Sequence, residues 1–135
     1  MVRPKRQSDP TLLTTLELEI MRVLWVLHQA TVHEILERLS SKRDLAYTTV
    51  STVVRVLVTK GFVGVEKHGR SHLYSPNIPR SDYESRTIHH VIDGLFEGQA
   101  DALVRRLVDS ESLSEQELTK IRNLIEQLPT TDDRE

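Results

Sequence analysis

Hydrophobic positions fall in helical order through most of the chain. Over "TTLELEIMRVLWVLH" the apolar residues Leu16, Ile20, Val23, Leu24 and Leu27 recur three and four positions apart, the spacing that lines one face of an α-helix. A second line of Leu18, Met21 and Trp25 runs along the opposite side, so this helix is expected to be covered on two faces. Thr14 followed by Glu17 has the form of a capping box at its start. "TVHEILERLS" repeats the logic in a shorter helix, with Thr31 as cap, Glu34 answering it, and Val32, Ile35, Leu36 and Leu39 as the stripe.

The next segment, "AYTTVSTVVRVLVTKGF", sets propensity against pattern. Nine of the fourteen residues from Tyr47 to Lys60 are β-branched, which favours a strand. As a strand, however, neither face is clean: Val53 and Leu57 would sit among polar residues and Thr52 among apolar ones. As a helix, Val50, Val53, Val54, Leu57 and Val58 share one side, with Thr48, Ser51, Thr52, Arg55 and Thr59 roughly opposite. Lys60 suits a helix C-terminus, and Gly61 supplies a left-handed position just beyond it. The pattern predicts a helix. Ala46 and Tyr47 stand where a capping Ser or Asp is expected, so its start is weakly capped.

Two short β-capable runs follow, Phe62–Lys67 and Ser71–Ser75, around His68-Gly69, where glycine permits the positive φ of a tight hairpin. "SPNIPRS" then interrupts regular structure with two prolines. Beyond it the pattern is helical only. Ile88, Val91, Ile92 and Leu95 share one face, Leu103, Val104, Leu107 and Val108 another. A last helix opens on a Ser114/Glu117 capping box and repeats Leu118, Ile121, Ile125 and Leu128. None of these short helices can bury its stripe alone, so they pack on each other or on a second copy. The order helix, helix, helix, hairpin within about seventy residues is the layout of a winged helix-turn-helix. The expected fold is therefore mainly α with a small β-hairpin: a winged helix-turn-helix DNA-binding domain followed by a helical dimerisation domain. The boundaries are a flexible basic arm at 1–11, the winged helix at 12–80, the helical domain at 81–128 and a disordered tail at 129–135.

Charge sharpens this division. Residues 1–80 carry twelve Lys/Arg against seven Asp/Glu, and residues 81–135 carry six against thirteen, so a formal net charge of −2 conceals a basic half and an acidic half. The basic half is suited to a polyanion. A threonine-rich outer face on the third helix is not what plain solvent exposure favours, since Glu, Lys and Gln form helices better. Short hydroxyl side chains approach base edges closely, and a Thr methyl matches the thymine methyl. Thr48, Thr49, Ser51, Thr52 and Arg55 are thus the candidates to read or position a major groove. Lys67, His68 and Arg70, around Gly69, are candidates to grip the flanking backbone. Arg3, Lys5 and Arg6 form a basic arm.

Other chemistries find little support. There is no cysteine, which removes disulfides, thiolate catalysis and thiolate metal sites. His68 and His72 are expected to stand near each other across the hairpin, while His89 and His90 point about 100° apart on a helix. No HExxH-type spacing occurs, so no metal or cofactor is expected. No phosphate-cradling glycine loop and no GxSxG is present, and an enzyme is not expected. No apolar run approaches a membrane span and the N-terminus lacks a signal-peptide core, so a cytoplasmic, nucleoid-associated protein without membrane insertion is expected.

The segments "LELEIMRVLWVL", "RDLAYTTVSTVVRVLVTKGFVGVEKHGRSHLYSP" and "LVRRLVDSESLSEQEL" resemble the penicillinase-repressor (BlaI/MecI-type) family of bacterial transcriptional regulators, over residues 12–127. The most specific pieces are Tyr47-Thr48-Thr49-Val50-x-Thr52, Lys60-Gly61-Phe62-Val63, and Gly69-Arg70 followed by Tyr74. The resemblance implies a winged-helix homodimer that represses by covering a palindromic double-stranded DNA operator. It implies that the C-terminal helices make the dimer, with Ile88, Val91, Ile92, Leu95, Leu103, Leu107, Leu118, Ile121, Leu124, Ile125 and Leu128 in or near the seam. It also implies release through loss of that dimer, in a β-lactam or cell-wall stress response that uses a membrane sensor protease. In the antibiotic-responsive members the cut falls at an Asn-Phe bond; the matching position here is Arg106-Leu107. A copper-thiolate switch, used by other relatives, is excluded by the absence of cysteine. Two rival readings stand beside this one: a winged-helix regulator that senses a small molecule between its two halves, and a winged helix used only to bind protein.

Overall fold

The computed structural model describes residues 12–40 and 44–129. The expected basic arm at 1–11, and the tail beyond Pro129, lie outside the described residues. The elements run α1 (Thr15–Leu27), α2 (Val32–Ser40), α3 (Tyr47–Lys60), β1 (Val63–His68), β2 (Ser71–Pro76), α4 (Arg80–Leu95), α5 (Ala100–Asp109) and α6 (Glu115–Glu126). The contested segment is a helix throughout. Its valine stripe provides apolar area for the core, and that burial outweighs the β-branched side chains' preference for extended backbone.

The chain forms two compact units, the first closing at Ile88 and the second beginning at His89. In the first, Ile20, Met21 and Leu24 of α1, Ile35 of α2, and Val50, Val54 and Leu57 of α3 are fully buried. Both expected capping boxes are present here. Glu17 N–H donates to Thr14 Oγ1 and Thr14 N–H to Glu17 Oε1, at 3.2 and 2.8 Å. Thr31 and Glu34 exchange the same pair of bonds. Gly61 ends α3 at φ +89 and donates its N–H to the Leu57 and Val58 carbonyls.

The hairpin is antiparallel and pairs Val63 with Pro76 through His68 with Ser71. Gly69, at φ +62, takes the first of the two turn positions. The hairpin is also anchored to the loop between α1 and α2. Ala30 and Tyr74 exchange both backbone hydrogen bonds, each at 2.9 Å, forming a short third rung of sheet.

The chain after the hairpin does not leave this core at once. Ile78 is buried and its carbonyl accepts the Trp25 indole N–H at 2.9 Å. Tyr83 in α4 is buried, accepts the Leu13 N–H at its hydroxyl at 3.0 Å, and meets Phe62 edge-on with ring centres 6.2 Å apart. An expected boundary at residue 80 therefore falls one turn short of a core side chain, and the packing boundary is at Ile88.

The second unit holds the rest of α4, with α5 and α6. Ser114 and Glu117 form the expected capping box. α5 and α6 contain no buried residue. Val91, Ile92, Leu103, Leu118 and Ile121 are half-buried, whereas Leu95, Leu107, Leu124, Ile125 and Leu128 are exposed. Ile88, the last residue of the first unit and the first of the expected seam, is exposed as well. Leu128 lies just past α6 in a turn, its N–H bonded to the Ile125 carbonyl.

Candidate nucleic-acid interface

α3 divides its side chains as an amphipathic helix must. Val50, Val54 and Leu57 reach the core, and Val53 and Val58 are half-buried beside them. Thr48, Thr49, Thr52, Arg55 and Thr59 are exposed on the other side, and Ser51 is half-buried at its edge. The start of the helix carries no side-chain cap at Ala46.

The far end of α3 is tied down from α1. Lys60 Nζ donates to both oxygens of the buried Glu17 carboxylate, at 2.8 and 3.1 Å. Burial raises the Glu17 pKa. The Lys60 hydrogen bonds, the Thr14 backbone N–H, the Lys60 charge and the Thr14 side chain outweigh that and hold it below its ordinary value. Lys60 is thereby a structural cation: its ammonium is spent on Glu17.

Between α3 and the hairpin lies a cleft of about 680 Å³. Tyr47, Ser51, Arg55 and Thr59, successive residues of an i, i+4 row, line its helix side. Arg70, Ser71 and His72 line the hairpin side, and Thr31 and His33 close the end at the start of α2. The His33 and Tyr47 rings meet at a tilt of 41° with centres 4.6 Å apart. Among the described residues, two guanidiniums enter this lining and no carboxylate does, so the cleft offers hydroxyls, imidazoles and positive charge to whatever lies in it.

The structure thus brings together Ser51, Arg55 and Arg70 in one cleft, with Thr48, Thr49 and Thr52 on the adjoining outer face of α3. The hairpin cations separate. Lys67 pairs in register with His72 and so shares the cleft face of the hairpin. His68 alternates to the other face, where its Nε2 lies 3.4 Å from Glu66 Oε1. Sequence reasoning missed Thr31, His33, Tyr47, Thr59 and His72 as cleft residues. The Tyr47-Ser51-Arg55-Thr59 row was there to be read from helical spacing. Thr31 and His33 reach the cleft only through the packing of α2 on α3, for which the sequence holds no local signal. Among the described residues no group of three His, Asp or Glu side chains is arranged to hold a metal ion.

Three helices carrying an anchored hairpin, with the third helix presenting short hydroxyl side chains beside a cationic cleft, define a winged helix-turn-helix regulator. The model of the penicillinase repressor family matches residues 13–127, and the chain belongs to that family of transcriptional regulators. It is 28% identical over 111 residues to the penicillinase repressor of Bacillus licheniformis, covering 82% of this chain and 87% of that one. It is 34% identical over 120 residues to the transcriptional regulator BlaI of Mycobacterium tuberculosis, covering 76% and 87%. Among solved structures, the DNA-binding domain of the repressor BlaI in solution superposes with a TM-score of 0.50 at 31% identity, over 57% of this chain and 94% of that one.

Proposed function

We propose that this chain is a sequence-specific repressor that binds a palindromic operator in double-stranded DNA as a homodimer. The observation that carries the reading is the outer side of α3, where a row of short hydroxyl side chains adjoins a cleft that holds Arg55 and Arg70 and, among the described residues, no acid. Thr48, Thr49, Ser51, Thr52 and Arg55 read or position the major groove. Lys67 and Arg70 hold the flanking phosphates. His68, on the far face of the hairpin, reaches phosphate only where the duplex wraps past the tip.

One such head makes few base contacts and binds weakly. A second head tethered to it binds at a high effective concentration, so pairing through the second unit raises affinity by ~10²–10⁴-fold without adding contacts. The exposed leucines and isoleucines of α4 to α6 supply an apolar surface for that pairing. Release then follows from whatever separates the two copies. A sensor protease cutting at Arg106-Leu107 is one route. These residues lie inside α5, where the Arg106 carbonyl accepts the Ser110 N–H, so such a cut first requires local opening of the helix. The protein acts in the cytoplasm, on the nucleoid. No described helix is long and apolar enough to cross a membrane.

The test is selection from random double-stranded DNA, followed by gel retardation with the full chain and with a 1–88 fragment. The expected result is an inverted repeat with half-sites ~10 bp apart or a multiple of it, bound at least a hundredfold more weakly by the fragment. Enrichment of no sequence refutes the DNA reading. Equal affinity of fragment and full chain refutes the dimer mechanism.

A further inference from the structure

Two large apolar side chains on α3 are exposed, Tyr47 at 42% and Val56 at 39%. Tyr47 has a partner in the His33 ring. Val56 is not among the half-buried residues packed on the core, as its neighbours Val53 and Val58 are. An exposed valine favours neither the helix, where Ala or Glu serves better, nor the core, which it does not enter. Left outside the core on an exposed side of α3, it is placed to meet whatever that side of the helix meets.

Val56 stands one turn after Thr52. With Thr52, Arg55, Thr59 and Lys60 it lines a shallow depression of about 390 Å³ on the outer side of α3. Three of these five side chains carry methyl groups. Of the two cations, Lys60 is engaged by Glu17, which leaves Arg55 to supply charge at the rim. A small apolar saddle beside a guanidinium suits a methyl group carried on a polyanion. In the major groove the standard bases present one such group, the C5-methyl of thymine.

Resting on the DNA reading proposed above, we infer that Val56 is a specificity-determining residue that selects a thymine C5-methyl in each half-site. The hydroxyls of Thr48, Ser51 and Thr52 and the Arg55 guanidinium answer hydrogen-bonding edges. Val56 answers the one base feature that forms no hydrogen bond. Cytosine at the same position lacks the methyl and leaves the saddle unfilled.

The experiment uses the full chain and the operator recovered by selection. Each thymine is replaced in turn by deoxyuridine, which keeps the pairing edge and removes only the methyl. The expected result is one thymine per half-site at which uracil weakens binding about fourfold, the worth of one buried methyl. Val56→Ala, which suits an exposed helical position and keeps its thermal melting, binds the thymine and uracil operators equally. Val56→Thr, with one methyl left, retains part of the difference. At the same position a 5-methylcytosine pair binds more tightly than a cytosine pair to the wild-type protein and not to Val56→Ala. Uracil sensitivity that persists in Val56→Ala, or that occurs at no position, overturns the inference while leaving the DNA reading intact. A selection that enriches no sequence overturns both.

Discussion

The ion pair between Glu17 and Lys60 joins the first turn of α1 to the last residue of α3 across 43 positions of sequence, and its two ends are unequal. The Glu17 side chain is 6% exposed and that of Lys60 30%. Glu17→Gln keeps an oxygen for the Thr14 N–H and leaves an ammonium that turns to water. Two charge-assisted hydrogen bonds are lost, worth ~1.5–3 kcal/mol each at most, and resolvation of Lys60 returns part of that, so the net cost is about 1–2 kcal/mol. Lys60→Met is worse. It leaves a buried carboxylate with only the cap N–H, and breaking a buried pair from that side costs ~3–5 kcal/mol when burial is complete; with Lys60 partly exposed, about 2–4 kcal/mol is expected. The double variant should cost less than the sum, with a coupling of about 1–2 kcal/mol. Urea unfolding read by the fluorescence of Trp25, the single tryptophan, measures all four proteins. The sign with pH follows from the lowered Glu17 pKa. Its stabilisation is complete above the ordinary value of 4.5 and is lost as pH falls through the lower folded value. The gap between wild type and Glu17→Gln should therefore be constant near neutrality and close on acidification below that value. A Gln variant as stable as wild type, or less stable than the Met variant, would refute the reasoning.

Arg55→Ala should weaken operator binding by about 1–3 kcal/mol if the guanidinium meets a base, or lower the salt dependence by about one ion if it meets phosphate; titration at several salt concentrations separates the two, and no change in either removes it from the interface. Gly61→Ala places a side chain at φ +89, with nothing nearby to clash, so it should cost about 1–2 kcal/mol in urea unfolding from backbone conformation alone. Tyr83→Phe removes the acceptor of the Leu13 N–H and should cost about 1 kcal/mol, visible as a lower thermal midpoint. On the proposed pairing through the second unit, Leu124→Asp with Ile125→Asp, both on exposed sites of α6, should leave the first unit folded and abolish self-association by sedimentation; a wild-type chain that sediments as a monomer would refute the pairing itself.

Local rules carried far along this sequence. α3 was legible as a helix because four valines and a leucine at helical spacing outweigh the propensity of the same valines for strand. The capping boxes at Thr14, Thr31 and Ser114 were legible because both partners sit three residues apart. What stayed hidden was tertiary. Lys60 looked like a helix-end cation, and only packing brings it to Glu17. Tyr83 looked like part of a second domain, and only its ring contacts with Phe62 and Trp25 return it to the first. In the candidate site, Ser51, Arg55 and Arg70 were found from pattern and charge. Thr31 and His33 were not, since nothing near them in sequence says which helix they will face. His68 was grouped with Lys67 and Arg70 by proximity, and strand alternation separates them.

The paired amides of Ala30 and Tyr74 have a consequence for how such a chain can vary. A surface turn between two helices is ordinarily where insertions are absorbed. Here Ala30 is fixed as a sheet partner, and the turn before it must span the distance from the end of α1 to that rung. Lengthening it by one residue would shift the rung and with it the root of the hairpin, changing the width of the cleft while leaving every side chain in it untouched. Among descendants of this sequence, length changes should accumulate at the hairpin tip and spare residues 28–31.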